Sequence, residues 1–432
     1  MDIGHLYHIY SKSNGVSTDT RNLIPGSVFF ALKGDKFDGN KFTGEALMKG
    51  CVRAVTDDES LKAKDNHYFV NNVLESLQQL ANYHRHKLKI PFIAITGSNG
   101  KTTTKELSYA VLTKKFRVYA TRGNLNNHIG VPVSVLSVRN EEIAIIEMGA
   151  NHEGEIRNLC AIAEPDFGII TNIGHAHLEG FGSPEGVKRG KEELYDFLKI
   201  NKGKAFYNSD SPLLSKMIRE KGIDSIPFGN SLEAICNGRI IDKSRFISVE
   251  VAITGKNKAF INTKLVGSYN LENIVASAAI GTWFGVTIDE IKETIENYIP
   301  SNSRSQYLPT QNNKLILDAY NANPDSMMSS IMNFLSLDEK NEKLIILGDM
   351  LELGRFSMEE HEKIVKLLKE NSVKNVILVG PEFLKASLNT EFCGFEKVED
   401  LIIHFSSNQP KNLLIFLKGS RGIKLEKLLD VL

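Results

Sequence analysis

The stretch ITGSNGKTT occupies residues 95–103 and lies between an apolar run and a helical pattern. Residues 92–96 predict a buried strand, and residues 101–115 predict a helix. Backbone N–H groups at a helix N-terminus bind phosphate oxygens, and glycines let the main chain approach them closely. The stretch therefore predicts a loop that binds nucleotide phosphates, formed by Gly97, Ser98, Asn99, Gly100, Lys101, Thr102 and Thr103.

Two side chains of this loop have an expected chemistry. Lys101 is expected to reach the β- and γ-phosphates, and the Thr102 hydroxyl to hold Mg²⁺. Only Ser98 and Asn99 separate the two glycines, so the loop is shorter than the usual GxxxxGK[ST]. A plain turn with an exposed lysine is the alternative.

Strand-like runs alternate with helical patterns along most of the chain. This alternation predicts right-handed βαβ units and mostly parallel sheets. Residues 245–267 differ, because apolar residues there occur at every second position, which predicts an antiparallel hairpin. The strands predicted for the last part of the chain are 314–320, 343–348, 375–380 and 412–418.

The length of 432 residues suggests about three domains of ~150 residues each. We predict an α/β protein with a small α/β N-terminal cap at 1–89 and a central domain at 90–300. The central domain is expected to contain a P-loop-type, mostly parallel sheet with helices. A polar linker at 300–309 leads into a C-terminal doubly wound (Rossmann-like) domain at 301–432. Sites are expected at the carboxyl ends of parallel strands and between domains.

Composition excludes several classes of function. Hydrophobic residues make up 42% and charged residues 24%, and 52 Lys and Arg balance 52 Asp and Glu. A neutral chain argues against nucleic-acid or anionic-membrane partners, and no run reaches the ~20 apolar residues of a membrane-spanning helix. Disulfides are not expected, because the four cysteines lie far apart. We expect a cytoplasmic protein without membrane insertion; the oligomeric state is open, with a monomer as the default.

The short GxxGKT loop after a strand resembles that of the Mur ligase family and its folylpolyglutamate-forming relatives. Further segments are similar, in the same order, to one branch of that family. They are TRGNLNNHIGVP (121–132), IEMGAN (146–151), AHLEGFGS (176–183), DAYNANPDSM (318–327), GDMLELG (348–354) and KGSR (418–421). The resemblance implies an ATP-dependent ligase that joins D-alanyl-D-alanine to UDP-N-acetylmuramoyl-tripeptide through an acyl phosphate, in peptidoglycan precursor synthesis.

The resemblance also implies a centre with two Mg²⁺ ions. An acid that directly follows an apolar strand, as Glu147 does, is expected to project from the strand end into a site. Glu147 and His177 match the family's second magnesium site, and Lys191 matches a lysine that the family carbamylates. Lys188 lies three residues earlier on a similar helix face, so which of the two lysines matches stays open. Gly190 stands where the family usually has a small residue before this lysine, and it is a mild departure from that pattern. The implied metal-binding residues are Thr102, Glu147, His177 and Lys191.

The remaining implied roles concern the substrates. Asn273 would lie near adenine, Arg304 near the terminal phosphate, and Asp318 on the ribose hydroxyls of ATP. The implied catalytic residues are Lys101, Lys191, His177, Asn126 and Asn127. Those implied for the uridine nucleotide are Ser17, Thr18, Asp19, Thr20, Arg21, Lys33 and Gly34.

Three other functions stay open from the sequence. The nearest is another Mur-type or folylpolyglutamate-type amino-acid ligase, against which the GNLNN and YNANPDSM segments argue. A second is an ATP-dependent binding or regulatory protein that lost its chemistry. A third is an NTPase acting on nucleic acid, which the neutral charge does not favour. The third residue of the tripeptide is not determined by the sequence.

Overall fold

The computed structural model describes residues 2–301 and 303–432, and each of its three main sheets belongs to a different part of the chain. The first part contains a four-stranded parallel sheet in the order β1-β2-β5-β6, beside a short β3–β4 hairpin. Its elements are α1 (Ile3–Ser11), β1 (Val16–Ser17), β2 (Val28–Phe30), β3 (Lys33–Gly34), β4 (Phe37–Asp38), α2 (Thr43–Met48), β5 (Arg53–Thr56), β6 (His67–Phe69) and α3 (Val73–Lys87).

Helix α3 joins this cap to the rest of the molecule. Asn72 begins the helix, since its side chain accepts a hydrogen bond from the backbone of Glu75. The buried guanidinium of Arg85 donates to the Ala163 carbonyl at 2.9 Å, and Tyr10 of α1 donates to the Leu136 carbonyl. The cap and the central sheet therefore share one continuous apolar core.

The central part contains the longest series of elements. Its members are β7 (Phe92–Thr96), α4 (Lys101–Leu112), β8 (Val118–Ala120), α5 (Gly130–Ser137), β9 (Ile143–Glu147), α6 (Glu155–Ala163), β10 (Phe167–Ile170), α7 (Leu178–Phe181), α8 (Pro184–Ile200), β11 (Lys204–Asn208), α9 (Pro212–Lys221), β12 (Ser225–Phe228), β13 (Cys236–Lys243), β14 (Ile247–Ile253), β15 (Lys258–Asn262), α10 (Asn270–Trp283) and α11 (Ile288–Asn297).

Strands β7–β12 form a six-stranded parallel sheet in the order β12-β11-β10-β7-β9-β8. Strand β7 is buried on both faces, with Phe92 and Ala94 in one apolar cluster and Ile93 and Ile95 in the other. After β9 the chain crosses to the other side of β7. Ligand sites in such sheets lie where the strand order reverses, at the carboxyl ends of the strands, and the 95–103 loop begins at this position.

The predicted antiparallel hairpin is present as β14 and β15. Strand β14 alternates buried and half-buried residues along its whole length, as the period-two pattern requires. A third strand, β13, pairs with β14 and was not predicted.

The C-terminal part contains a six-stranded sheet in the order β16-β17-β21-β18-β19-β20, in which β16 is antiparallel to β17 and the other pairings are parallel. Its elements are β16 (Gln306–Pro309), β17 (Lys314–Asp318), α12 (Pro324–Ser336), β18 (Glu342–Gly348), α13 (Ser357–Glu370), β19 (Val376–Val379), α14 (Pro381–Ala386), β20 (Cys393–Phe395), α15 (Val398–Ser407) and β21 (Leu413–Lys418). The linker prediction for 300–309 was wrong in part, since β16 lies within it and pairs along the sheet edge.

The predicted α/β class with three domains is confirmed by these sheets. The boundaries drawn at 89/90 and 300/301 stay predictions. Within the described residues, no helix is both long and apolar enough to cross a membrane.

Candidate active site

The phosphate loop leaves the end of β7 in a conformation that only glycine fits at two positions. Gly97 and Gly100 have φ values of 142° and 79°. A Cβ atom on Gly97 would lie 2.0 Å from the Thr171 hydroxyl, and one on Gly100 would lie 2.4 Å from Asn273 Oδ1. The turn is therefore built for close main-chain approach, with α4 beginning directly after it at Lys101.

Lys101 lies folded over its own loop. Its amine donates to the Gly97 carbonyl at 2.6 Å and to the Ser98 carbonyl at 3.2 Å. Burial lowers the pKa of Lys101 to about 8; the nearby Glu147 carboxylate acts to raise it and Arg304 to lower it further. The side chain is thus held where phosphate oxygens would meet the loop.

Glu147 ends β9 and is 2% exposed. Its carboxylate accepts hydrogen bonds from the Thr102 hydroxyl at 2.9 Å and from Asn126 Nδ2 at 2.8 Å. Lys105 Nζ lies 3.7 Å from the same carboxylate and donates to the Thr121 carbonyl at 2.9 Å. Lys105 was not predicted as a site residue, although it lies on the buried face of the helix predicted at 101–115.

Lys191 is 1% exposed and lies on α8, behind the site. Its Nζ is 3.4 Å from the Ala150 carbonyl and 5.3 Å from the centre of the Phe181 ring. Burial, followed by the charge of Lys101, lowers the pKa of Lys191 well below its usual range. Gly190 is required by the same ring, because a Cβ atom there would lie 2.4 Å from Phe181.

A cavity of about 800 Å³ separates the central and C-terminal domains. It brings together most of the predicted ATP and metal residues: Ser98, Asn99, Gly100, Lys101, Thr102, Thr103, Asn126, Asn127, Glu147, His177, Asn273, Arg304 and Asp318. Lys191 is not among its lining residues, but Ala150, which it contacts, is.

Two predicted ligand-binding amides in this cavity have partners within the protein. Asn273 accepts from the Thr104 hydroxyl at 3.0 Å and donates to Asn270 at 2.9 Å. Asn127 accepts from the backbone of Gly130 at 2.8 Å, at the start of α5. Both side chains therefore have a structural role, and their assignments to adenine and to catalysis stay predictions.

The C-terminal domain supplies the other wall of the cavity. Asp318 ends β17 and accepts from Lys418 at 2.6 Å and from the backbone of Ser305 at 3.2 Å. The Arg304 guanidinium lies 3.8 Å from the centre of the Tyr320 ring. Lys418 is 2% exposed, so its positive charge is offset by the Asp318 carboxylate rather than by water.

Two hydrogen bonds connect this wall of the cavity to the central domain. Asn323 at the start of α12 donates to Asn99 of the phosphate loop at 2.7 Å. The backbone N–H of His175 donates to Asp325 at 2.6 Å. These contacts were not predicted, because they depend on how two domains meet.

The residues predicted for the uridine nucleotide lie in the cap and do not line this cavity. Ser17 is buried, and its hydroxyl lies 2.8 Å from that of Ser27. Arg21 is exposed and forms an ion pair with Asp19 at 2.6 Å. Lys33 forms an ion pair with Asp57 at 2.8 Å. The predicted role of this set, which also includes Thr18, Thr20 and Gly34, stays a prediction.

The oxygen donors around Glu147 fit a magnesium ion that takes most of its ligands from phosphate and water. Across residues 2–301 and 303–432, no group of three or more His, Cys, Asp or Glu side chains could hold a metal ion. Mg²⁺ usually binds through one or two protein oxygens, with phosphates and water completing its shell. The Thr102 hydroxyl and the Glu147 carboxylate, 2.9 Å apart, are such oxygen donors.

Three segments of the chain match family models. The Mur ligase family, catalytic domain matches residues 12–85, the Mur ligase middle domain residues 95–281, and the Mur ligase, glutamate ligase domain residues 303–421.

Similar full-length proteins are also known. The UDP-N-acetylmuramoyl-tripeptide–D-alanyl-D-alanine ligase of Bacillus subtilis (strain 168) is 34% identical over 426 residues, covering 96% of this chain and 92% of that protein. A crystal structure of MurF from Acinetobacter baumannii superposes with a TM-score of 0.85 at 30% identity, covering 96% of this chain and 92% of that one. MurF ligase from Thermotoga maritima, solved in complex with ADP, gives a TM-score of 0.84 at 26% identity and covers 100% of this chain and 98% of that one.

Proposed function

The chain belongs to the Mur ligase family, and we propose that it joins D-alanyl-D-alanine to UDP-N-acetylmuramoyl-tripeptide with ATP. The observation that carries the proposal is the cavity in which the phosphate loop, Glu147 and Asp318 meet. Near full-length similarity to a relative named for this reaction supports the choice of substrates over those of other ligases. We place the reaction in the cytoplasm, where the nucleotide-linked precursor is made.

The first step of the proposed reaction activates a carboxylate. The terminal carboxylate of the tripeptide attacks the γ-phosphorus of ATP, an O–P bond forms, and the bond to the ADP oxygen breaks. Lys101 offsets the phosphate charge as that bond breaks. Asp318 and Arg304, from the opposite wall, hold the ribose and the terminal phosphate, so the two domains must close around ATP.

The second step forms the amide. The amine of D-alanyl-D-alanine attacks the acyl carbon, a C–N bond forms, the C–O bond breaks, phosphate leaves and the amine loses its extra proton. The closed cavity excludes water, which would otherwise hydrolyse the acyl phosphate. No nucleophilic side chain is needed, because the substrate carboxylate itself forms the activated intermediate.

Magnesium would be held by Thr102, Glu147 and His177, and when bound it would neutralise charge on the transferring phosphate. Lys191 is proposed to support this site as a carbamate. The neutral amine attacks CO₂, a C–N bond forms, one C=O π bond opens to give a carboxylate, and one proton leaves, so the neutral side chain becomes an anionic carbamate. Burial favours the neutral amine, since it lowers the pKa of Lys191.

The cap is proposed to bind the uridine nucleotide through the set at 17–21 and 33–34. Hydroxyls and an exposed arginine suit a ribose and a diphosphate, and Arg21 is exposed.

The test is to weigh the product. The protein is incubated with ATP, Mg²⁺ and UDP-muramoyl tripeptides ending in lysine or diaminopimelate, with and without D-alanyl-D-alanine. We expect a mass gain of one dipeptide less one water, with one ADP released per product. Lys101→Ala is the matched inactive control, because it should abolish tripeptide-dependent ADP release. In parallel incubations, a product formed only when a single amino acid replaces the dipeptide, or when a folate replaces the tripeptide, would identify another ligase of the family.

A further inference from the structure

A loop of the C-terminal domain reaches the proposed magnesium site. Glu352 follows β18, and its Oε2 lies 2.5 Å from Nδ1 of His177, which belongs to the central domain. The His177 side chain is 19% exposed, and both residues line the cavity. No other role in the proposed reaction accounts for Glu352.

The backbone holds this pair in place from both sides. His177 and Glu352 have φ values of 54° and 63°, in the left-handed region that non-glycine residues seldom adopt. The backbone N–H of Glu179 donates to the Glu352 carbonyl at 3.1 Å, and Arg355 donates to the Gly182 carbonyl at 3.3 Å. The two segments are therefore joined by one main-chain hydrogen bond and by one from the Arg355 side chain, beside the His177–Glu352 pair.

We infer that Glu352 is a positioning residue that orients the His177 imidazole for the magnesium site. A metal-binding histidine usually has its second ring nitrogen held by a carboxylate or carbonyl, which fixes the tautomer and the ring orientation. The Glu352 carboxylate lies at ion-pair distance from Nδ1, so Nε2 is the ring nitrogen left for the site. This inference rests on the proposed function, in which His177 is a metal ligand.

The pair has a consequence for domain closure. His177, the proposed metal ligand, lies in the central domain, and Glu352, the carboxylate that orients it, lies in the C-terminal domain. His177 is therefore fully oriented only when the 352–355 loop is docked on the 177–182 segment. Closure of the domains and completion of the magnesium site become one event.

The experiment measures metal affinity directly. Mn²⁺ binding to the full chain is followed by electron paramagnetic resonance, with a non-hydrolysable ATP analogue present. We expect Glu352→Ala to weaken Mn²⁺ binding by about 10- to 100-fold, the usual effect of losing the carboxylate behind a metal-binding histidine. Glu339→Ala is the matched control, because it removes an interdomain ion pair with Arg245 that does not touch the cavity.

Two further variants distinguish a failure of this inference from a failure of the proposed role of His177. If His177→Ala leaves Mn²⁺ affinity unchanged, the proposed ligand is wrong and the inference is overturned with it. If His177→Ala weakens binding but Glu352→Ala does not, only the inference is overturned. An equal loss in Glu339→Ala would also overturn it, because the effect would then come from loosened domains. In the double variant that combines His177→Ala with Glu352→Ala, the two losses of Mn²⁺ affinity should not add, since Glu352 acts through His177.

Discussion

At the scale of single residues, Asp318 is both the partner of a buried lysine and the proposed ribose ligand. It lies directly opposite Lys418 in the β17–β21 pairing, and the two side chains form an ion pair at 2.6 Å with 14% and 2% exposure. A buried cation without its counterion is costly. Asp318 is therefore expected to neutralise Lys418 as well as to bind the ribose of ATP.

Asp318→Ala should consequently lose stability along with ATP affinity. We expect a loss of about 3 kcal/mol in the free energy of unfolding, as for a buried pair with one partner removed. Lys418→Met added to this variant should restore much of the stability but not the ATP affinity. Chemical denaturation and ATP titration measure the two effects. A single variant as stable as the wild type would argue against the buried pair.

Lys191 allows a prediction that does not depend on folding. Lys191→Met fills the same buried space without an amine, so the fold should persist while turnover falls by about 100-fold, the upper effect of losing a group that supports a metal ligand. Wild-type activity should also fall when CO₂ is removed and return with bicarbonate. Far-ultraviolet circular dichroism is the control for folding. Full activity of the variant would exclude the carbamate.

The sequence predicted the type of several site residues better than their partners. Glu147 was predicted to project from a strand end into a site, and it does lie at the end of β9 on the cavity wall. Lys105 beside it was missed, because a lysine in a helical pattern is usually solvated. Asn273 and Asn127 match family positions, yet their amides are engaged by Thr104 and by Gly130. These hydrogen-bond partners are set by distant segments or by the local fold, so the spacing of residues in the sequence does not predict them.

At the scale of elements, α6 begins without a capping side chain of its own. Its first residues follow Gly154, which has a φ of 88°. Glu193 of α8 supplies the cap instead, accepting from the backbone N–H groups of Gly154 at 2.5 Å and Arg157 at 2.9 Å. Since α8 also contains Lys191, this cap fixes the two helices beside the site.

Glu193→Ala should therefore destabilise the central domain. We expect a loss of about 2 kcal/mol, because two backbone donors lose a buried carboxylate. Glu192→Ala is the neighbouring control, and its partly exposed ion pair with Lys221 at 3.4 Å should contribute less than about 1 kcal/mol. Thermal unfolding of the two variants gives the comparison. Equal effects would mean that the interhelical cap contributes little.

The elements predicted best are those with a strong periodic pattern. Strand β7 is entirely buried and was predicted to the residue at 92–96. Strand β13 was missed because only its first residue is fully buried in a run with three charged side chains. Strand β16 was missed because it is a short edge strand inside a polar stretch, defined by its pairing with β17 rather than by its own pattern.

At the scale of the whole molecule, an ion pair joins the central and C-terminal domains at a distance from the site. Arg245 forms an ion pair with Glu339, which also contacts Lys314 at 3.3 Å. Burial acts to raise the pKa of Glu339, but the hydrogen bonds from Arg245 and Lys314 outweigh it and lower the pKa below its usual range. This carboxylate is therefore a stabilising charge at neutral pH.

Glu339→Ala should lower stability in a pH-dependent way. A depressed folded pKa gives stability that is present above the ordinary glutamate pKa of about 4.3 and is lost as pH falls through the folded value. We expect a difference of about 1 kcal/mol from the wild type at pH 7, which shrinks as pH falls below about 4.3 and vanishes only below the lowered folded pKa of Glu339. Thermal unfolding across this range provides the measurement. A difference that persists in acid would point to packing rather than charge.

The contact between Asn323 and Asn99 connects the closing domain to the phosphate loop itself. Asn323 also begins α12, where its side chain accepts from the backbone of Ser326 at 2.9 Å. Asn323→Ser keeps a capping oxygen but is too short to reach Asn99. We expect ATP affinity to fall about 5-fold, the equivalent of one hydrogen bond of about 1 kcal/mol, with little change in stability.

Asn323→Ala separates the two roles of this residue. It removes the cap as well as the contact, so it should add a loss of about 1 kcal/mol in stability to the same loss of ATP affinity. Isothermal titration with ATP and thermal unfolding of both variants resolve the two effects. If the serine variant binds ATP as the wild type does, the contact is a consequence of domain packing and does not transmit nucleotide binding. If both variants lose affinity equally, the phosphate loop and the start of α12 close as one unit.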